Sequence, residues 1–203
     1  MIVPKSWLRA RRRDYFYRKA KEEQLRSRAA YKLLEVVDRY GLMRRGDVVV
    51  DLGAAPGGWM QVALGVVGGR GFVLGVDVKE IEPFEAKNAR TVVADVADSG
   101  AVEVVCGLLP RLADVVVSDV SPNVSGIWEV DHARQVDLAR RSLVIAGRVL
   151  RRGGGFFVKV FQGDLLDEFV DELRGLFGFV RLVKPRASRR GSSELYALCL
   201  DKK

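Results

Sequence analysis

Lys159 sits inside Phe156-Phe157-Val158-Lys159-Val160-Phe161, a run whose other residues are all apolar. A lone ammonium in such a strand either reaches water along its methylene stem or is used where it stands. Buried and unpaired it is costly, so its proton becomes easier to remove unless carboxylates accompany it. Two readings are open: a structural lysine paired with Asp119, or a lysine tuned to accept a proton. Carboxylates stand at the ends of other apolar runs. Asp51 closes Val48-Val49-Val50, Asp77 closes Phe72-Val73-Leu74-Gly75-Val76, Asp95 follows Val92-Val93-Ala94, and Asp119 closes Val115-Val116-Val117-Ser118. Any one of them alone reads as a helix cap or a solvated strand end. Four in register fall on the edge where open α/β sheets bind ligands. There Asp77 is placed to accept hydrogen bonds from ribose hydroxyls and Asp95 to receive an adenine amino group.

The same edge carries Asp51-Leu52-Gly53-Ala54-Ala55-Pro56-Gly57-Gly58-Trp59. Gly53, Gly57 and Gly58 lack the Cβ atoms that would hold a ligand off the backbone. Counting from Gly53, a dinucleotide fingerprint needs glycine where Ala55 stands, and no Gly-Lys-Ser/Thr closes a phosphate loop. A loop without that equipment suits a nucleoside-like ligand. With the strand-end acids it describes a pocket for S-adenosylmethionine.

The elements that must position these groups are legible from periodicity. Ala30, Leu33, Leu34 and Val37 recur at helical spacing, with Lys32 on that helix and Gly41 as its stop. Strand patterns over 48–52, 72–77, 91–94, 115–119 and 156–161 alternate with helical ones over 59–66, 102–109, 136–150 and 165–176. That alternation predicts a parallel, doubly wound α/β sheet. Two further strands, 179–183 and 195–200, are joined by a polar segment without a helix, which predicts an antiparallel pair. The expected architecture is a mostly parallel seven-stranded sheet, the plan of the Rossmann-like class I methyltransferase fold, to which the sequence is similar.

At 203 residues the chain suits one well-buried core, and we expect a basic arm over 1–23 followed by a single domain over 24–203. Lys and Arg number 34 against 26 Asp and Glu, a formal charge of +8 that favours a polyanionic partner. The charge concentrates between Trp7 and Lys21, where Arg11, Arg12 and Arg13 precede Tyr15, Phe16 and Tyr17. Such a segment neutralises phosphates and stacks on bases, or else packs its aromatics on the domain. Lys184, Arg186, Arg189 and Arg190 form a second candidate phosphate-contacting group. Cys106 and Cys199 lie far apart with a single histidine in the chain, so no metal site is expected and both thiols are expected to be buried. No apolar run spans a bilayer, and a cytoplasmic monomer without an obligate protein partner is expected.

Five ordered motifs then sharpen the reading: Arg26-Ser27-Arg28-Ala29-Ala30-Tyr31-Lys32-Leu33, the glycine loop from Asp51 to Trp59, Ser118-Asp119-Val120-Ser121-Pro122-Asn123, Val158-Lys159-Val160-Phe161, and Ser192-Ser193-Glu194-Leu195-Tyr196. Together they resemble the FtsJ/RrmJ family of RNA ribose 2′-O-methyltransferases over nearly the whole chain. The resemblance implies a Lys-Asp-Lys-Glu catalytic tetrad at Lys32, Asp119, Lys159 and Glu194. It also implies S-adenosylmethionine contacts at Gly57, Trp59, Asp77, Asp95 and Asp119, to which the loop adds Gly53 and Gly58. Arg26 and Arg28 join the expected RNA contacts. The expected substrate is a uridine 2′-hydroxyl of large-subunit (23S) ribosomal RNA, free or in the subunit, with the tRNA anticodon loop as alternative. A non-catalytic RNA-binding protein on the same scaffold is a further alternative. A nicotinamide-dependent dehydrogenase is disfavoured by the glycine spacing.

Overall fold

Residues 14–189 and 191–203 are described by a computed structural model. Helix α1 (Tyr15–Glu22) and helix α2 (Ala30–Tyr40) lead into strand β1 (Val48–Leu52) and helix α3 (Gly58–Val67). Strand β2 (Phe72–Asp77), strand β3 (Ala89–Val93), helix α4 (Ala101–Leu108) and strand β4 (Ala113–Ser118) follow. Helix α5 (Trp128–Val149), strand β5 (Leu150–Phe161), helix α6 (Leu166–Leu176) and strands β6 (Phe177–Val183) and β7 (Glu194–Lys202) complete the fold.

The sheet runs β3-β2-β1-β4-β5-β7-β6. Its first five members are parallel, while β7 pairs antiparallel with both β5 and β6. Every residue of β1 is buried, as a strand covered on both faces requires. Val48, Val50 and Leu52 face a core shared with α4, α5 and α6, whereas Val49 faces α2 and α3. Period-2 alternation therefore feeds two cores, each fully buried aliphatic side chain contributing roughly 1.5–3 kcal/mol. Chain order reverses between β1 and β4, which opens a crevice at their carboxyl ends.

Some boundaries depart from the sequence pattern. Helix α5 begins eight residues before Val136, because its first turns bury Asp131, His132 and Gln135 rather than aliphatic residues. Strand β5 begins at Leu150, running through Arg151, Arg152 and three glycines that carry no apolar alternation. Gly41 does stop α2, in the left-handed conformation with its N–H donating to the Val37 carbonyl. Both cysteines are free thiols, and the expectation that both are buried holds only for Cys199. Cys106 is exposed on the outer face of α4, since a core contact there is made by Val105 beside it. No described helix is long and apolar enough to cross a membrane.

Candidate active site

A cavity of about 370 Å³ lies outside the ends of β1, β2, β3 and β4. Gly53 and Ala55 form part of its wall, Asp77 and Asp95 stand on one side, and Asp119 through Asn123 stand on another. Val76, Val78, Val96 and Leu138 give it an apolar component. Gly53 has φ +77°, and a Cβ on it would meet the Val120 backbone nitrogen at 2.8 Å. A side chain there would clash and strain the backbone, so the close approach of the two strand ends depends on glycine. Asp77 accepts from the Ala55 and Lys79 N–H groups, both at 2.9 Å, and Asp95 accepts from the Ala97 N–H at 2.8 Å. Their capping role and their exposure to the cavity coexist, since a carboxylate offers about four lone-pair sites.

Beyond Asp119 the cavity meets a closed side-chain network. Lys159 Nζ donates to the Asp119 carbonyl at 2.7 Å and lies 3.2 Å from Asp119 Oδ1. Tyr196 donates its hydroxyl to that same Oδ1 at 2.7 Å and accepts from Lys32 Nζ at 2.7 Å. Lys32 also pairs with Glu194 Oε1 at 2.7 Å, and the Ser188 hydroxyl donates to that oxygen at 2.8 Å. The sheet brings these groups together: Lys159 is opposite Tyr196 and Phe161 opposite Glu194 in the β5–β7 register. Asp119 follows the last residue of β4, with its N–H donating to the Leu52 carbonyl at 3.1 Å. Gln135 braces the site from α5, donating to the carbonyls of Val120 and Lys159.

Lys159 and Lys32 are only 5% and 7% exposed, so each needs the anionic partners it has. Burial pushes the Asp119 carboxyl up, but Lys159, Lys32 and the Tyr196 hydroxyl outweigh it and hold the group below the usual carboxylate range. Burial first, then the charges of Asp119 and Glu194, push the Tyr196 phenol well above its ordinary value. Tyr196 therefore stays neutral and keeps its proton on the bond to Asp119. Asp51 is the opposite case. Fully buried at the end of β1, its oxygens meet no side-chain donor among the described residues, and the one backbone donor that favours its charged form is the Met60 N–H. Burial, reinforced by Asp119 and Asp77, raises its carboxyl well above the ordinary range.

The structure thus gathers all four predicted tetrad residues, and Gly53, Asp77, Asp95 and Asp119 line the cavity. Gly57, Gly58 and Trp59 do not line it. A Cβ on Gly57 would meet the Arg26 guanidinium and Phe84, and one on Gly58 would meet the Ser27 hydroxyl. The Trp59 indole is turned into the core, donating to the Ala29 carbonyl at 2.7 Å and packing on Phe157 and Tyr196. Its ring supports the tyrosine.

Among the expected RNA contacts, Arg26 and Arg28 are engaged within the protein. Arg26 donates to the carbonyls of Pro56, Glu82 and Pro83 and stacks over Phe84. Arg28 pairs with Asp14 and donates to the Ala187 carbonyl, joining the cap of α1 to the C-terminal loop. Lys184 donates to the Ser192 carbonyl, while Arg186 and Arg189 are exposed. Arg11, Arg12, Arg13 and Arg190 lie outside the described residues. Phe16 packs on Tyr31, so that part of the basic segment carries structural contacts, while Tyr15 is exposed. No group of three or more His, Cys, Asp or Glu suited to a metal occurs among the described residues.

Sequence reasoning assigned no role to the Tyr196 hydroxyl or to Ser188. The signal for Tyr196 was present: it lies two residues after Glu194, so a strand puts both on one face. Ser188 carries no such signal, because a loop brings it to Glu194.

The family model for FtsJ-like methyltransferases matches residues 25–202. The chain belongs to that family. Among its FtsJ-like relatives, the ribosomal RNA large subunit methyltransferase E of Methanothrix thermoacetophila is 50% identical over 186 residues, which is 92% of this chain and 71% of that protein. The protein of the same name from Methanothermobacter thermautotrophicus is 47% identical, covering 97% of this chain and 93% of its own. A crystal structure described as a ribosomal RNA methyltransferase, from Plasmodium falciparum, matches with a TM-score of 0.74 at 24% identity, over 87% of this chain and 98% of that one. This last likeness speaks to the fold, which is that of a class I methyltransferase.

Proposed function

We propose that this methyltransferase transfers the methyl group of S-adenosylmethionine to a ribose 2′-hydroxyl, that of a uridine in large-subunit ribosomal RNA. The observation that carries the reading is that Asp119 belongs to both halves of the site, lining the cavity and holding Lys159. The substrate class is supported by the names of the relatives and by the +8 formal charge. Residues 24–203 are read as the catalytic domain and 1–23 as an RNA-binding arm.

The residues fit the cofactor. Asp77 and Asp95 supply acceptors for ribose hydroxyls and an exocyclic amine, and the apolar wall suits a flat base. Asp119, held below the usual carboxylate range on the cavity wall, faces a cationic end. When bound, the cofactor supplies a sulfonium-activated methyl group. The chain's own work is alignment and management of one proton. Alignment of bound reactants is worth roughly 7–11 kcal/mol, whereas a positioned base contributes about 10²–10⁴-fold. Asp119 uses two of the three donor positions of Lys159, leaving the third direction to meet the acceptor hydroxyl. As an ammonium Lys159 orients the hydroxyl lone pair by donating to it, and as the neutral amine it turns its own lone pair to the hydroxyl and takes up the proton released as the oxygen is methylated. Lys32, pinned by Tyr196 and Glu194, fixes the opposite side of the network and helps seat the ribose.

Calorimetry with S-adenosylmethionine, combined with labelled methyl transfer to large-subunit RNA and to tRNA, tests the reading. We expect cofactor binding, transfer to the ribosomal RNA, and loss of transfer but not of binding in Lys159→Ala. Cofactor binding with no transfer to any RNA, or no cofactor binding at all, contradicts it, and transfer to tRNA alone moves the substrate to the anticodon-loop alternative.

A further inference from the structure

The rim beside Lys159 carries a flat aromatic stack that the chemistry above leaves unused. Trp128 opens α5 and is 44% exposed. Its ring is nearly parallel to two others, lying 6.0 Å from Phe161 at 23° and 5.7 Å from His132 at 18°. Phe161 stands two residues beyond Lys159, about 6.6 Å along the strand, and opposite Glu194. The stack therefore adjoins the groups assigned to the acceptor ribose.

It is also held in place. His132 is buried, its Nε2 accepting from the Leu165 N–H at 3.1 Å. The segment leading to Trp128 is tied by Asp131, which accepts from the N–H and hydroxyl of Ser125 at 2.7 and 2.8 Å and from the Gly126 N–H at 3.0 Å. Ser121, Pro122 and Asn123 of the same segment line the cofactor cavity. One braced stretch of chain thus runs from the cavity to an exposed ring.

We propose that Trp128, backed by Phe161 and His132, is a stacking platform for an unpaired base of the RNA substrate at or next to the methylated nucleotide. The inference rests on the reading of the acceptor as an RNA ribose. A 44% exposed indole in a run of near-parallel rings offers an aromatic surface that a nucleobase extends without any sequence-specific hydrogen bond. A base held there restricts the nucleotide whose hydroxyl must meet Lys159, so the platform is a positioning device that acts through alignment.

The test uses Trp128→Ala, Trp128→Leu and Trp128→Tyr with a transcript of large-subunit ribosomal RNA. Removing the ring is expected to weaken RNA binding roughly 5- to 150-fold, the range that corresponds to about 1–3 kcal/mol per stacked base. Cofactor affinity should be unchanged, tyrosine should restore most of the loss, and leucine should not. A second readout uses fluorescence, for the chain has three tryptophans and Trp59 is buried. In a Trp7→Phe background, RNA should quench the emission, and adding Trp128→Phe should abolish the quench. Unchanged RNA affinity in Trp128→Ala, or full rescue by leucine, overturns the platform while RNA methylation by the unaltered protein stands. Absence of transfer to any RNA by the unaltered protein overturns both.

Discussion

The two halves of the site solve opposite electrostatic problems. On the cofactor side, at the ends of β1 to β3, Asp77 and Asp95 put two carboxyl groups into the lining of a cavity that includes a single cation, Lys79, while Asp51 is fully buried close to Asp77. On the acceptor side, Lys32 and Lys159 are matched by Asp119 and Glu194, with the Tyr196 hydroxyl bridging the two pairs. The first half is left short of positive charge, as a pocket for a cationic ligand should be. The second is already neutral, so its lysines are held in position without one. Asp51 and Asp119, at the ends of adjacent strands, show the contrast: burial dominates one and raises it, while paired cations dominate the other and lower it.

The contrast breaks most severely at Lys159. Replacing it with Ala is expected to reduce methyl transfer by about 10²–10⁴-fold, with cofactor affinity retained. Single-turnover transfer and calorimetry on the same sample check this. Gly53→Ala attacks the other half: its positive φ and the contact with Val120 predict a loss of about 1–3 kcal/mol in stability, with weaker cofactor binding. Denaturant unfolding with and without cofactor measures both. Tyr196→Phe sharpens the comparison, because it removes the bridge while leaving both ion pairs. We expect roughly tenfold slower transfer, about 1.4 kcal/mol on the barrier, with RNA and cofactor binding little changed.

The smallest effect concerns pH. A carboxyl raised in the folded state binds more protons there than when unfolded, so Asp51 stabilises the cofactor-free protein at low pH. That contribution is lost as pH climbs from the unfolded value of about 3.9 toward the raised folded one. Asp119, lowered in the folded state, contributes above the unfolded value and loses its contribution as pH falls toward the folded one. Asp51→Asn should therefore flatten the decline in melting temperature as pH climbs above the unfolded carboxyl value, and Asp119→Asn should flatten the loss as pH falls below it. Thermal melts across pH without cofactor would show a shared slope if the two carboxylates were equivalent.

The same division explains what the sequence made legible. The cofactor half is built by short-range features, a strand end, a glycine turn and a helix start, which local pattern displays. The acceptor half is assembled from α2, β4, β5 and β7, with Lys32 and Glu194 separated by most of the chain. Local pattern singles out Lys159 and Asp119, while Lys32 and Glu194 are joined to them only by the order of the family motifs. Local pattern also does not show the work the fold gives a residue. Three carbonyls accept protons from Arg26, and the Trp59 indole packs against Tyr196. The early start of α5 escaped detection because its first turns bury polar groups that tie down a loop.

The central claim is that an Asp119-held Lys159 meets a ribose hydroxyl beside the cofactor cavity. Its most direct test is to locate the methyl group, by treating large-subunit ribosomal RNA with labelled S-adenosylmethionine and the enzyme, then digesting with alkali. The account predicts label in an alkali-resistant dinucleotide with a 2′-O-methyluridine, absent when Lys159→Ala is used. Label on a base, or transfer undiminished in Lys159→Ala, would contradict it.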